Sequence, residues 1–207
     1  MAEATDQNEQ AQPEAADAAE PKLYRLLLKD GVALFAALSL WAAADTWYQV
    51  TGLPLAVVLG IGNGILVGLL LSALFHEWGH YAGAKFSGAV APRVEIPGLT
   101  LFRYRFDFES NNSHQFHRMT YGGHVGHWSA LLLILVMVPM DTIGRIALAA
   151  GAFGFIAFAT LIEYNVVKDT WAGADPETRL NGISSKDFQQ ATVVGGIAGL
   201  FFLALLS

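Results

Sequence analysis

Long apolar stretches separated by short polar segments dominate the pattern of this sequence. The clearest stretch runs from Leu53 to Phe75 without one charged residue, and about 20 such residues are enough for a helix to cross a bilayer. Similar stretches recur along the chain and predict five transmembrane helices, over residues 27–48, 53–86, 119–140, 143–167 and 190–206. We therefore predict an all-α polytopic membrane protein in which residues 22–207 form a single membrane domain.

Two segments depart from this pattern. Residues 1–21 are rich in Ala, Glu and Gln and contain few large apolar side chains, so we expect a disordered acidic tail. Within residues 91–110, a Pro97-Gly98 turn signal precedes an alternation of aromatic and charged residues. Alternation with period two is typical of a β-strand with one apolar face. We predict a small β-hairpin at the membrane surface.

Composition narrows the chemistry that the chain can perform. Hydrophobic residues make up 54% of the chain and charged residues 14%, which supports the membrane assignment. Cysteine is absent, so disulfides and thiolate sites are excluded and a metal site would need histidines and carboxylates. Removing the six acidic residues that precede Lys22 from the total of 18 leaves 12, which balance the 12 basic residues. We expect no basic face for nucleic-acid binding.

The basic residues also predict an orientation. With the five predicted spans, every one of the 12 Lys and Arg residues except Arg145 falls on the side of the amino terminus. Cytoplasmic loops carry such an excess of positive charge. We expect a multi-pass integral membrane protein, placed in a bacterial inner membrane, with its amino terminus in the cytoplasm.

A metal-binding motif lies near the end of the second predicted span. Its sequence is His76-Glu77-Trp78-Gly79-His80. Four residues on a helix place His76 and His80 on one face, one turn apart, where both can bind one metal ion. Glu77 lies beside them, in position to act as general base on a metal-bound water. Because catalytic zinc usually takes three protein ligands, one zinc ion per chain requires a third ligand.

The predicted topology limits that third ligand to the cytoplasmic ends of the other helices. We favour Asp169, the first acidic residue after the apolar part of the fourth span. Glu163 is an alternative, because an acidic residue within a span is costly and is usually functional. Asp175 lies farther out in the following loop. Asp45 and Asp141 are excluded because they fall at the opposite ends of their helices.

The predicted strand suggests a way to bind substrate. Phe102, Tyr104 and Phe106 lie on its apolar side. An unwound substrate segment could pair with this strand by β-augmentation, which presents an extended backbone to the metal. A purely structural hairpin fits the pattern equally well.

These residues resemble the site-2 protease family of intramembrane zinc metalloproteases. The resemblance covers about residues 53–169: the histidine motif within a span, a β-rich segment, the Gly-rich Tyr121–His127 segment and the distal Asn165–Asp169 segment. It implies that His76, His80 and Asp169 bind zinc, that Glu77 is the base, and that membrane proteins are cleaved within the bilayer. The family's Gly-Pro near the third span is replaced here by Gly123-His124. A separate regulatory membrane partner is also possible.

Two other functions remain open at the level of sequence. The six histidines form three pairs, which loosely resemble the histidine boxes of membrane di-iron oxygenases: His76/His80, His114/His117 and His124/His127. For the second pair we prefer an exposed polar loop, and for the third hydrogen bonding near the metal site. A non-catalytic membrane adaptor on the same scaffold is the other alternative, although the intact Glu77 argues against it.

Overall fold

The computed structural model describes residues 20–94 and 103–207. Six helices and one small sheet occur in this part of the chain, in the order α1 Leu23–Thr51, α2 Pro54–Phe86, β1 Arg93–Val94, β2 Arg103–Tyr104, α3 Ser113–Met137, α4 Ile143–Trp171, α5 Pro176–Asn181 and α6 Ser185–Leu206. The expected acidic tail lies outside the described residues, except for its last two positions. The predicted all-α architecture with a small hairpin is confirmed.

Four of the described helices are long and apolar enough to cross a membrane: α1, α2, α4 and α6. They confirm a polytopic membrane protein. Helix α3, which covers the remaining predicted span as far as Met137, is 25 residues long but is not among those four. Its first 15 residues contain four histidines and Arg118, which lower its hydropathy. Its length alone would cover about 37 Å at 1.5 Å per residue.

Local signals explain where the helices begin and end. Helix α3 begins six residues before the predicted span because Asn112 and Gln115 form a capping box, which satisfies backbone N–H groups at the helix start. The predicted polar loop after α4 contains a short helix, α5, whose amino terminus is capped by Asp175. Ser184 and Asp187 form the capping box of α6.

Helices α2 and α4 form the centre of the bundle. Helix α2 packs against α1, α3 and α4, and α4 also packs against α6. Glycines make the approach close, because a Cβ on Gly68 would overlap the backbone of α4 at Leu148, and one on Gly151 would overlap the backbone of α2 at Ile65. Small residues let membrane helices pack at short range. This contact determines how α2 and α4 are rotated relative to one another.

The hairpin is antiparallel, with Arg93 opposite Tyr104 and Val94 opposite Arg103. Strand β2 covers two residues and is shorter than the predicted strand, and residues 108–110 form a turn. Backbone hydrogen bonds from Arg105 to Pro92 (2.9 Å) and from Asp107 to Val90 (3.1 Å) continue the pairing beyond β2. The Tyr104 ring lies 5.8 Å from that of Tyr81, so the hairpin packs against the end of α2 that carries the histidine motif.

Candidate metal centre

Three side chains from two helices converge at this end of the bundle. His76 and His80 lie one turn apart on α2, and Glu163 extends from α4. The two Nε2 atoms are 3.0 Å apart, and each lies 2.9 Å from Glu163 Oε1. Both histidines are buried, and the Glu163 side chain is 15% exposed. One ligand atom from each residue faces the same point, so the group could hold a metal ion.

A backbone contact orients one of these imidazoles. His80 Nδ1 lies 3.0 Å from the Met119 carbonyl oxygen on α3, and a carbonyl can only accept a hydrogen bond. His80 therefore carries its proton on Nδ1 when neutral, and its Nε2 presents a lone pair to Glu163. A hydrogen bond to the second ring nitrogen is the usual way in which proteins orient a metal-binding histidine.

The donor set is consistent with a cation at this point. A neutral His80 and an ionised Glu163 both direct lone pairs into the group, and His76 can supply at most one proton from Nε2. Ligand atoms around tetrahedral zinc lie about 3.3 Å apart, since each bond is about 2.0–2.1 Å long. The observed separations of 2.9–3.0 Å are only slightly shorter. The three residues fit zinc with a small outward adjustment.

The third member of the group is Glu163, not Asp169. Six residues separate them on α4, which corresponds to about 9 Å along the helix and about 240° of rotation around it. The Asp169 carboxylate instead lies 2.5 Å from the Arg179 guanidinium. Asp175 accepts a hydrogen bond from the Thr178 backbone N–H and caps α5. The structure therefore brings the alternative ligand to the histidines and directs the other two acids elsewhere.

Glu77 lies on the side of the group that faces the hairpin. Its Oε1 is 3.0 Å from Arg103 Nη1 on β2, and the Glu77 side chain is 25% exposed. Burial raises the pKa of the nearby Tyr104 hydroxyl, and the charges of Glu77 and Glu163 raise it further. The hairpin thus places a cation and a tyrosine beside the expected general base.

The residues expected to bind substrate have different environments. Phe102 lies outside the described residues. Tyr104 is half-buried, and its ring centroid lies 5.8 Å from that of Tyr81. Phe106 is 9% exposed and packs in a hydrophobic cluster with Phe116 and Val166. Because its side chain completes the core beneath the hairpin, Phe106 has almost no surface to offer a substrate in this arrangement.

Two histidines of α3 also adjoin the group, which the sequence suggested only as hydrogen-bonding neighbours. His124 Nε2 is 3.2 Å from Glu163 Oε2. The His127 ring is fully buried and stacks on His76, with centroids 5.1 Å apart and planes 6° apart. Their three-residue spacing within the Gly-rich start of a span was the available signal, because it places both on one face of α3.

The remaining histidine pair does not reach the group. His117 is buried, in contrast to the expected exposed loop. Its Nε2 lies 2.9 Å from the Thr170 hydroxyl, and its ring stacks on Trp171 with centroids 4.4 Å apart. His114 is exposed, as expected, but it lies in α3 and not in a loop. His117 thus joins α3 to the end of α4 as a structural contact.

Glycines on α2 and α3 bring these side chains together. A Cβ on Gly122 would overlap the Gly79 carbonyl oxygen, and one on Gly126 would overlap the Phe75 carbonyl oxygen. A Cβ on Gly123 would overlap the His80 imidazole itself. The glycines of the Tyr121–His127 segment are therefore required for the close approach of α3 to the histidine motif.

The acids excluded on topology lie at the other end of the bundle. Asp45 is buried and accepts hydrogen bonds from the Thr142 hydroxyl at 2.6 Å and from Arg145 Nε at 2.8 Å. Asp141 pairs with the same arginine. These contacts join α1 to the start of α4 and confirm that neither acid can reach the histidines.

Comparisons of this chain with protein-family models, with curated proteins and with solved structures found no match. The interpretation of the site therefore depends on its own geometry.

Proposed function

We propose that this chain is an intramembrane zinc metalloprotease that hydrolyses peptide bonds of membrane protein substrates. The observation that carries the proposal is the convergence of His76, His80 and Glu163 in a group able to hold a metal, with Glu77 next to His76 in the chain. Hydrolytic zinc enzymes use two imidazoles and one carboxylate as a ligand set. These three ligands leave the fourth coordination position for water. Glu163 replaces Asp169 in the ligand set that we propose.

The residues divide the chemistry between them. A bound zinc ion would supply a water molecule of lowered pKa and polarise the scissile carbonyl. His76, His80 and Glu163 hold the ion, and the Met119 carbonyl keeps His80 in the required tautomer. Glu77 accepts a proton from the water whose oxygen bonds to the carbonyl carbon. It then returns that proton to the leaving nitrogen as the C–N bond breaks.

We also propose that the metal group, formed by His76, His80 and Glu163, faces the cytoplasm, in a bacterial inner membrane. The distribution of basic residues supports this orientation. Arg145 is the basic residue that the predicted topology places on the opposite side. It pairs with Asp45 at the other end of the bundle. A group near a membrane surface obtains water more readily than one at mid-bilayer. The substrate that we propose is a membrane-embedded segment of another protein, unwound near this surface.

The first experiment measures metal content and cleavage on purified protein in detergent. Elemental analysis of the wild type should give about one zinc per chain, the stoichiometry of a single three-ligand site. Fluorescently labelled casein serves as the substrate, because its unfolded chain presents an extended backbone. Glu77→Gln should bind as much zinc as the wild type while its cleavage rate falls by at least about 100-fold, the usual contribution of a general base.

A Glu109→Gln variant provides the matched control, since Glu109 is an exposed acidic residue at the same end of the molecule. It should retain both zinc and cleavage. Wild-type protein that binds no zinc, or Glu77→Gln protein that cleaves casein at the wild-type rate, would refute the proposal.

One observation supports a second function, that of a membrane oxygenase, which the same metal analysis would test. Three histidines contact Glu163, two from α2 and one from α3. A fourth, His127, stacks on His76, and histidine-rich sites also hold iron. A membrane di-iron oxygenase would contain two iron atoms per chain and would oxidise a lipid in the presence of oxygen. The metalloprotease is favoured because the described group that could hold a metal has three ligands around one point.

A further inference from the structure

The two oxygens of the Glu163 carboxylate have different surroundings. Oε1 faces both histidines of the metal group at 2.9 Å. Oε2 is turned away from the histidine pair and lies 3.2 Å from His124 Nε2. Oε2 is buried, and it has no aligned hydrogen bond from any described residue. A buried carboxylate oxygen without a hydrogen bond is costly. A hydrogen bond from the His124 imidazole would therefore stabilise Oε2.

The contact with His127 determines which ring nitrogen of His124 carries the proton. His124 Nδ1 lies 3.4 Å from His127 Nε2. If His127 donates its Nε2–H to His124 Nδ1, His124 must carry its own proton on Nε2, beside Glu163 Oε2. The opposite direction is unfavourable, because it would turn the lone pair of His124 Nε2 toward Glu163 Oε2, which can only accept a hydrogen bond. His124 Nε2 and Glu163 Oε2 are 3.2 Å apart, and the χ2 torsion of histidine is broad, so the ring can turn to direct this N–H at the carboxylate.

We propose that His124 is a positioning residue that holds Glu163 Oε2, so that Oε1 alone is presented to the metal. A carboxylate held in this way contributes one ligand atom and leaves a coordination position for water. A freely rotating carboxylate could instead bind through both oxygens, which would add a fifth ligand atom beside the two imidazoles and the water. Second-shell partners of this kind are general in metal sites. The inference rests on the metal-binding part of the proposed function and not on proteolysis.

The test compares zinc affinities of purified variants by competition with a chromophoric chelator. His124→Leu removes the donor and should weaken zinc binding by about 10–100-fold, the usual effect of losing a second-shell partner. His124→Gln keeps an N–H donor and should restore affinity to within a few-fold of the wild type. His114→Leu is the matched control, because it makes the same change at an exposed histidine of the same helix and should leave the affinity unchanged.

Cobalt substitution supplies a readout that a purely structural role would not change. Four-coordinate Co²⁺ absorbs visible light more strongly than five-coordinate Co²⁺. The d–d absorption of the cobalt-loaded His124→Leu protein should therefore fall as the second oxygen of Glu163 binds, and His124→Gln should keep the wild-type spectrum. If His124→Leu does not fold, His127→Phe serves instead. It keeps a stacking ring while removing the donor to His124, and should weaken zinc binding in the same direction.

The outcomes separate this inference from the proposed function. If the wild type binds zinc and His124→Leu binds it equally tightly with an unchanged cobalt spectrum, the positioning role is refuted while the metal site stands. Equal losses in His124→Leu and His124→Gln would also refute it, because shape and not the N–H donor would then matter. If the wild type binds no zinc, the metal site and the inference fail together.

Discussion

At the scale of single residues, the choice of the third ligand is between two acids on α4, of which the sequence favoured Asp169. Glu163 contacts both histidines at 2.9 Å, whereas Asp169 pairs with Arg179. We predict that Glu163→Gln lowers zinc affinity at least about 100-fold, since it removes a charged ligand itself and not only a second-shell partner. Asp169→Asn should bind zinc as tightly as the wild type, as measured by chelator competition. The reverse result would restore Asp169 as the ligand.

Arg103 provides a second prediction at this scale, because its guanidinium contacts the expected general base. We predict that Arg103→Gln keeps its zinc and cleaves casein faster, since one oxygen of Glu77 is no longer paired with a cation. The increase should not exceed about fivefold, because a partly exposed ion pair contributes at most about 1 kcal/mol. Arg105→Gln is the control, since none of the described ion pairs joins Arg105 to Glu77. Loss of cleavage in Arg103→Gln alone would show that Arg103 instead orients Glu77.

At the scale of elements, the contact of α3 with α2 shapes the metal group without contributing one of its three ligands. A Cβ on Gly123 would overlap the His80 ring. We predict that Gly123→Ala weakens zinc binding by about tenfold or more, the effect expected when the surroundings of a ligand are disturbed. Gly62→Ala in α2 is the control, because its Cβ would meet nothing within 4 Å. Titration with zinc should separate the two variants, and equal affinities would show that His80 tolerates the extra methyl group.

The contact between α1 and the start of α4 makes a different prediction, on stability. Asp45 is buried and paired with Arg145, whereas the Asp141 side chain on the same arginine is 66% exposed. Removing one partner of a buried pair costs about 3–5 kcal/mol, so Asp45→Ala should unfold at a markedly lower temperature in detergent. Asp141→Ala should lose at most about 1 kcal/mol. Similar melting temperatures for the two variants would contradict the buried pairing.

At the scale of the whole molecule, the open question is whether α3 crosses the membrane. The chain has no cysteine. A single introduced cysteine is therefore the only thiol in the chain that a membrane-impermeant maleimide can label. If α3 spans, a cysteine at Asp141 should be labelled in intact cells, whereas cysteines at Glu109 and Glu177 should be labelled only after lysis. Labelling of positions 109 and 141 from the same side would show that α3 does not cross. Labelling of 109 and 177 alone in intact cells would invert the proposed orientation.

Local spacing and composition were enough to predict several features of this protein. Apolar length predicted membrane helices, and four of them are confirmed. The four-residue spacing of His76 and His80 placed both on one face of α2. The absence of cysteine restricted any metal site to histidines and carboxylates. Topology alone was also enough to exclude Asp45, which lies at the opposite end of the bundle.

Which side chains from other helices meet that histidine pair depends on how the helices pack. Each residue turns a helix by about 100°, so the choice between Glu163 and Asp169 depends on how α4 is rotated against α2. That rotation is set by close packing at residues such as Gly68 and Gly151, and apolar periodicity does not encode it when a helix is apolar on every side. The place of His124 beside Glu163 has the same origin, because it follows from the packing of three helices around one point.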